Sequence, residues 1–196
     1  EAIANVNQVP EERILVGAGL DDVIQIISRS LLSPGDEIIV ADPTFSQYEL
    51  HAVIEGAKVV KVPVKQSSGE MDLEAMLEAI TAKTKIIWLC NPNNPTGTYL
   101  PQSLIRAFIK KVPTDVLVIS DEAYQEYVTD EAISTSLPLL ETLSNIIVMR
   151  TFSKAYGLAG LRIGYAMIPT TVSRAFDIVR PPFNTSKKKK KAAIVA

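Results

Sequence analysis

A chain of 196 residues with a formal net charge of −2 offers no electrostatic case for nucleic acid or an acidic membrane surface as partner. Its 47% hydrophobic content suffices for the core of one large domain, and a single cysteine implies neither a disulfide framework nor a cysteine-based metal site. No signal peptide and no apolar run of transmembrane length is visible, so a cytoplasmic location is the expectation.

Short apolar runs predict strands over 13–17, 37–41, 58–63, 85–90, 115–120, 145–150 and 162–168. They are nearly continuous rather than alternating, as expected where both faces of a sheet are covered. Helical patterns fit 21–32, 44–55, 72–81, 101–111 and 170–179. Pro34-Gly35 and Ser67-Ser68-Gly69 mark turns, while Asp72 and Pro101 read as helix starts. Strands alternating with helices give a βαβ rhythm and a parallel sheet, in which ligands bind beyond the carboxyl ends of strands.

Four of those strand ends carry chemistry. The first run closes on Gly17-Ala18-Gly19 and opens through Leu20-Asp21-Asp22 into a helix. Glycines at such a junction expose backbone N–H groups, and the helix dipole favours an anion there. The run 85–90 ends in Asn91-Pro92-Asn93-Asn94-Pro95-Thr96-Gly97, where two prolines hold the residues before them extended. The run 115–120 ends in Asp121-Glu122-Ala123-Tyr124, with Tyr124 one helical turn beyond the carboxylate. After 145–150 come Thr151, Ser153 and Lys154, with Arg162 eight residues further on.

A lysine held at a strand end can be desolvated, which leaves a neutral amine able to condense with an aldehyde. Arg162 and the hydroxyls of Thr151 and Ser153 are the donors that a phosphate monoester requires. An aldehyde-capturing lysine beside a phosphate clamp suggests pyridoxal phosphate. Each motif alone has a plainer reading: a solvated lysine, or a tight Gly-Ala-Gly turn. Their convergence on one crevice is what carries the argument.

With these residues in place, the chain resembles the large domain of the fold-type I pyridoxal-phosphate enzymes, and within them the histidinol-phosphate aminotransferases. The matching features are 91–97, 121–124 and 153–162, with Arg180-Pro181-Pro182-Phe183-Asn184 also similar. The resemblance implies a three-layer αβα sandwich with a mostly parallel seven-stranded sheet, whose strand after Lys154 runs antiparallel. It implies that Lys154 bonds to the cofactor aldehyde and then acts as the proton-moving base. Asp121 would pair with the pyridinium nitrogen, and Asn94 and Tyr124 with the ring's phenolate oxygen. Phe45 would stack on the ring, a conservative change from the Tyr or Trp of many relatives. Gly19 and Leu20 through their backbone, with Thr151, Ser153 and Arg162, would hold the phosphate. Leu20 stands where relatives often carry a small or polar residue, so a side-chain donor is missing there. The turn that aims Asn94 at the ring makes Asn94–Pro95 a candidate cis bond.

The activity so implied is transamination between an amino-acid-like substrate and a 2-oxo acid, specifically histidinol phosphate and 2-oxoglutarate in histidine biosynthesis, by a homodimer. Residues 1–186 would form the pyridoxal-phosphate-binding large domain, without the family's small domain and N-terminal arm, so turnover is expected to be impaired. Residues 187–196 would be a lysine-rich tail, since five successive lysines repel one another and give no amphipathic stripe. An engineered, solubilising or misassigned end is the reading preferred there over a nucleic-acid or membrane contact. Two alternatives stay open: a non-catalytic truncated scaffold, and a phosphate-substrate lyase or decarboxylase on the same framework. No catalytic role is expected of His51, the single histidine.

Overall fold

In the computed structural model, which describes residues 1–130, 134–182 and 184–195, each of the seven apolar runs forms a strand. These are β1 (Ile14–Gly17), β2 (Glu37–Asp42), β3 (Lys58–Pro63), β4 (Thr84–Cys90), β5 (Leu117–Asp121), β6 (Ile146–Thr151) and β7 (Gly164–Met167). They make one sheet in the order β1-β7-β6-β5-β4-β2-β3. Every pairing is parallel except those of β7, which runs antiparallel to both β6 and β1. The segment joining β6 to β7 contains only a 3-10 turn, Ala159–Leu161, and no crossover helix that could return the chain for a parallel pairing.

The two-residue period of a strand divides the core between two faces. On β4, Ile86, Trp88 and Cys90 join one cluster with Val23, Ile27 and Phe176, whereas Ile87 and Leu89 join the other with Met76, Ile105 and Phe108. The first face is covered by α2 (Leu20–Leu31), α3 (Gln47–Ile54) and α6 (Thr170–Val179); the second by α4 (Leu73–Glu78) and α5 (Gln102–Ile109). This is the expected αβα arrangement. Ile86, Ile87 and Leu89 have no exposure at all, and full burial of each such side chain contributes about 1.5–3 kcal/mol.

Most departures from expectation occur at element ends. The helix placed at 44–55 starts only at Gln47, because Thr44 is turned aside to donate to the Asn93 side chain. The strand placed at 115–120 runs from Leu117 to Asp121, which makes Asp121 part of the ladder. Arg162 has a φ of 53°, in the left-handed region, so β7 begins two residues later than expected. Asp72 does cap its helix, its carboxylate accepting from the Ala75 N–H at 3.2 Å, but that helix closes at Glu78. A short helix α1 (Ala2–Asn7) went unpredicted, since six residues barely establish a period. The lysine run lies in a further helix, α7 (Lys187–Val195), which meets the core through Ala193. Phe183 of the 180–184 motif and Ala196 of the tail lie outside the described residues. Among the described residues no helix is long and apolar enough to cross a membrane.

Beyond β5 the chain is tied down by one buried carboxylate. Glu122 accepts from Arg150 Nε and Nη2 at 3.2 and 3.0 Å, from the Ser136 N–H at 2.6 Å and from the Thr135 hydroxyl at 2.7 Å. Its side chain is 2% exposed and that of Arg150 16%. Removing one member strands the other charge in a poorly solvated place. Glu122→Ala is expected to destabilise the fold by about 3 kcal/mol, read from the urea midpoint, whereas breaking an exposed pair such as Lys61–Glu49 should leave that midpoint nearly unmoved.

Candidate active site

The sheet register brings the chemistry to one edge of the molecule. Asp121 pairs with Cys90 on β4 and with Met149 on β6, so the segments that follow β4, β5 and β6 leave side by side. They enclose a cavity of about 190 Å³ lined by Leu20, Asp21, Phe45, Cys90, Asn94, Asp121, Ala123, Tyr124, Thr151, Ser153, Lys154 and Arg162. Nine of the ten residues expected from the sequence are in that lining. The tenth, Gly19, lies directly behind Arg162. His51 lines neither this cavity nor the larger one beside it.

At one end sits an anion cradle. Gly19 is the residue before α2 and has a φ of 90°, a conformation that side chains rarely adopt. A Cβ built there would lie 2.3 Å from Arg162 Nη2. The guanidinium therefore rests against bare backbone, where any side chain would displace it. Gly164 has the same function from behind, since a Cβ on it would lie 2.7 Å from both the Gly19 carbonyl carbon and the Leu20 nitrogen. Arg162 Nη1 donates to Ser153 Oγ at 3.4 Å and to the Ala159 carbonyl at 3.2 Å. The Thr151 hydroxyl donates to the Ile163 carbonyl at 3.4 Å and accepts from the Ser153 N–H at 3.1 Å. An N-terminus of a twelve-residue helix, a guanidinium and two hydroxyls make this end suited to a phosphate.

The middle of the cavity holds a buried carboxylate. Asp121 is 2% exposed; its Oδ2 accepts from the Tyr48 hydroxyl at 2.5 Å and its Oδ1 from the Ala123 N–H at 3.0 Å. Burial pushes its carboxyl up to about 6, against the lowering effect of those two hydrogen bonds and of Lys154. Burial, with the Asp121 charge beside it, also pushes the Cys90 thiol up to about 12, so Cys90 is a neutral wall rather than a nucleophile. Tyr48 was not among the expected site residues. It is fully buried, stacks on Trp88 at 4.6 Å with 9° between planes, and meets Phe45 edge-on at 5.6 Å.

The Asn-rich turn divides its labour. Asn91 donates to the Leu100 carbonyl and accepts from the Leu100 N–H, and Asn93 donates to the Pro43 carbonyl and to the Thr96 hydroxyl. Both are spent on shaping the loop, in which Asn91–Pro92 and Asn94–Pro95 are both cis. Asn94 is the asparagine that reaches the cavity. Tyr124 follows on the other side, at the start of a 3-10 turn (Gln125–Tyr127) rather than on an α-helical turn. Both residues also border a larger cavity of about 470 Å³ lined by Pro92, Gly97, Tyr99, Tyr127 and Val128 among others. Lys154 differs from expectation in one respect: it is exposed, with Nζ 5.2 Å from the Tyr124 ring centroid, so this chain does not itself desolvate the amine. A carboxylate, an amide, a phenol, an amine and an anion cradle in this order fit a pyridine ring that carries an aldehyde and a phosphate.

Comparison with known proteins bears on that fit. The profile of the aminotransferase class I and II family matches residues 2–196. Histidinol-phosphate aminotransferase 1 of Bacillus cereus is 53% identical over 188 residues, which cover 96% of this chain and 50% of that protein. The histidinol-phosphate aminotransferase of Sinorhizobium meliloti, solved in complex with pyridoxal-5'-phosphate, superposes with a TM-score of 0.89 at 32% identity, over 98% of this chain and 52% of that one. L-threonine-O-3-phosphate decarboxylase of Porphyromonas gingivalis superposes with a TM-score of 0.82 at 26% identity, over 98% and 55%. The chain spans about half the length of the curated relatives it matches. With a matching profile over nearly every residue, and a cavity built from the ends of its parallel strands, the chain belongs to the aminotransferase class I and II family.

Proposed function

We propose that this chain is the cofactor-binding domain of a pyridoxal-phosphate-dependent aminotransferase, working between histidinol phosphate and 2-oxoglutarate. The observation that carries the reading is the convergence of Lys154, Asp121, Asn94, Tyr124 and Arg162 on one cavity from separate strand ends. When bound, the cofactor supplies an electron sink that makes the α-hydrogen of an amino acid labile. Arg162, Ser153, Thr151 and the N-terminus of α2 would hold its phosphate. Asp121 would accept a hydrogen bond from the ring nitrogen and, while ionised, keep that nitrogen protonated. Asn94 and Tyr124 would donate to the ring oxygen, and Phe45 would cover one face. Lys154 would anchor the aldehyde carbon through Nζ and, once released, take the α-proton of the substrate on that same nitrogen.

The substrate assignment is supported by the 53% identity to a histidinol-phosphate aminotransferase. A phosphate-substrate decarboxylase is the second reading, supported by the likeness to the Porphyromonas gingivalis enzyme at 26% identity. Release of carbon dioxide from a carboxyl-labelled phosphorylated amino acid, in place of transfer of its amino group, would favour it. A homodimer and a cytoplasmic location belong to the same proposal. The exposed apolar side chains Leu50, Val53 and Ile54 on α3 supply a surface that association could cover, and light scattering tests this.

Treatment with pyridoxal phosphate followed by borohydride is expected to label Lys154, and the label should vanish from that peptide in Lys154→Ala. Label found mainly on the 187–191 lysines, and equally in the variant, would overturn the site. Because Lys154 is exposed and the cavity shares Asn94 and Tyr124 with the larger one, the 196-residue chain by itself should leave the reacting end wet. Its turnover with histidinol phosphate and 2-oxoglutarate is expected to be low, and rapid turnover by the chain alone would contradict that.

Asp121→Asn keeps the shape and removes the charge, so exchange of the substrate α-hydrogen with deuterated solvent should slow sharply. The same variant has an opposite effect on folding. Asp121 in the folded chain holds its proton up to about pH 6, above the ordinary 3.8. Between those values the folded state binds more protons than the unfolded one, so Asp121 weakens folding as pH rises through that window. Asp121→Asn should therefore gain on the parent between about pH 4 and about pH 7, by up to about 3 kcal/mol in urea unfolding. A difference that is flat with pH would show that Asp121 is not held in a dry environment.

A further inference from the structure

We propose that Tyr48 is a positioning residue, whose hydroxyl holds the Asp121 carboxylate in place facing the cavity. This deepens the reading of the site as one that binds a pyridine ring, and rests on it. Three observations carry it. Tyr48 has no exposed surface, and its ring is clamped between a parallel stack on Trp88 and the edge contact with Phe45. The ring therefore has no second place to go, and its Oη lies 2.5 Å from Asp121 Oδ2. Asp121 Oδ1 is taken up by the Ala123 N–H. A carboxylate has about four acceptor positions, so two bonds made behind it leave the others for a donor in the cavity.

The direction of the hydrogen bond is fixed by chemistry. Burial, followed by the charge of Asp121, pushes the Tyr48 phenol well above its ordinary value of 10.0, so it stays protonated and can only donate to a carboxylate. The groups that face Asp121 are Tyr48 on α3, Cys90 on β4, Glu122 next in sequence and Lys154 after β6. Burial and Glu122 favour the neutral acid, while Tyr48, the Ala123 N–H and Lys154 favour the carboxylate, and among these Tyr48 has the largest effect. The hydroxyl thus keeps a dry carboxyl ionised near neutral pH, which is the state that a protonated ring nitrogen needs. Tyr48 also supports Phe45 edge-on, so one side chain sets both the carboxylate and the stacking ring.

The test is a titration of Asp121 itself in the 196-residue chain without cofactor. Aspartate labelled with carbon-13 at the side-chain carboxyl reports it, with Asp121→Asn identifying the signal. In Tyr48→Phe, which keeps the ring and loses the hydroxyl, the midpoint should move up by about one to two pH units. With 3-fluorotyrosine at position 48, a stronger donor of nearly the same shape, it should move down. An unchanged midpoint in either chain overturns the proposal, and the second decides it should Tyr48→Phe fail to fold. Absorbance after addition of pyridoxal phosphate separates this failure from that of the underlying reading. If the parent chain forms no covalent adduct at Lys154, the function proposed above falls whatever Tyr48 does. An adduct in both parent and Tyr48→Phe with coincident spectra at every pH overturns the role of Tyr48 alone.

Discussion

Asp121 is the last residue of β5 to pair on both sides, opposite Cys90 on β4 and Met149 on β6. That three-strand register, at the centre of the sheet, is the constraint on which the site depends. Parallel strands that end level release their following loops from nearly the same height, so the Asn-rich turn, the Asp-Glu-Ala-Tyr segment and the Ser-Lys segment meet without long excursions. A one-residue slip would turn Asp121 to the opposite face and leave a carboxylate among Val118 and Val148. Such a slip would also exchange the side chains that fill the two buried faces, Trp88 and Met149 for Leu89 and Val148, and close packing makes that costly. The same side chains that build the core thereby hold the cavity's geometry in register.

The site combines groups whose needs conflict. A carboxylate kept dry interacts strongly with a nearby cation, but it is also costly to ionise. The structure moderates this with two hydrogen bonds behind Asp121 and leaves part of the penalty in place. Glu122, adjacent in sequence, is as deeply buried but has Arg150, Ser136 and Thr135 as partners. Two neighbouring acids thus take different roles: one closes a structural network, and the other keeps acceptor capacity free.

The strands were legible in the sequence because a doubly covered sheet writes itself as continuous apolar runs. Their ends were less so. The start of α3 depends on how Thr44 meets Asn93 across the sheet, a contact between residues far apart in the chain. The residues of the cavity were legible because strand ends concentrate chemistry and because the motifs resemble a known family. Residue type alone could not say which asparagine of the turn would face inward, since Asn91, Asn93 and Asn94 differ only in their partners. Tyr48 escaped notice because a tyrosine on a mixed helix is ordinarily core. No helical spacing could have found it, since Phe45 precedes α3 and the two aromatics meet only through the turn that leads into the helix. The exposure of Lys154 could not be read from its position after an apolar strand, since burial depends on what covers the loop.

Gly164 has a consequence beyond the room it leaves for the Gly19 backbone. It pairs with Gly17 on one side and with Thr151 on the other, so β7 is a rung between the strand that leads to the anion cradle and the strand that leads to Lys154. The separation of those two ends is therefore a matter of backbone pitch, about two strand spacings of roughly 4.8 Å, rather than of side-chain rotamers. Thermal motion of either strand end has to stretch a ladder of main-chain bonds before it can change that span. The ends of the two strands are thus set by the sheet, and any adjustment to the length of a ligand falls to the side chains of Lys154 and Arg162 that extend beyond them.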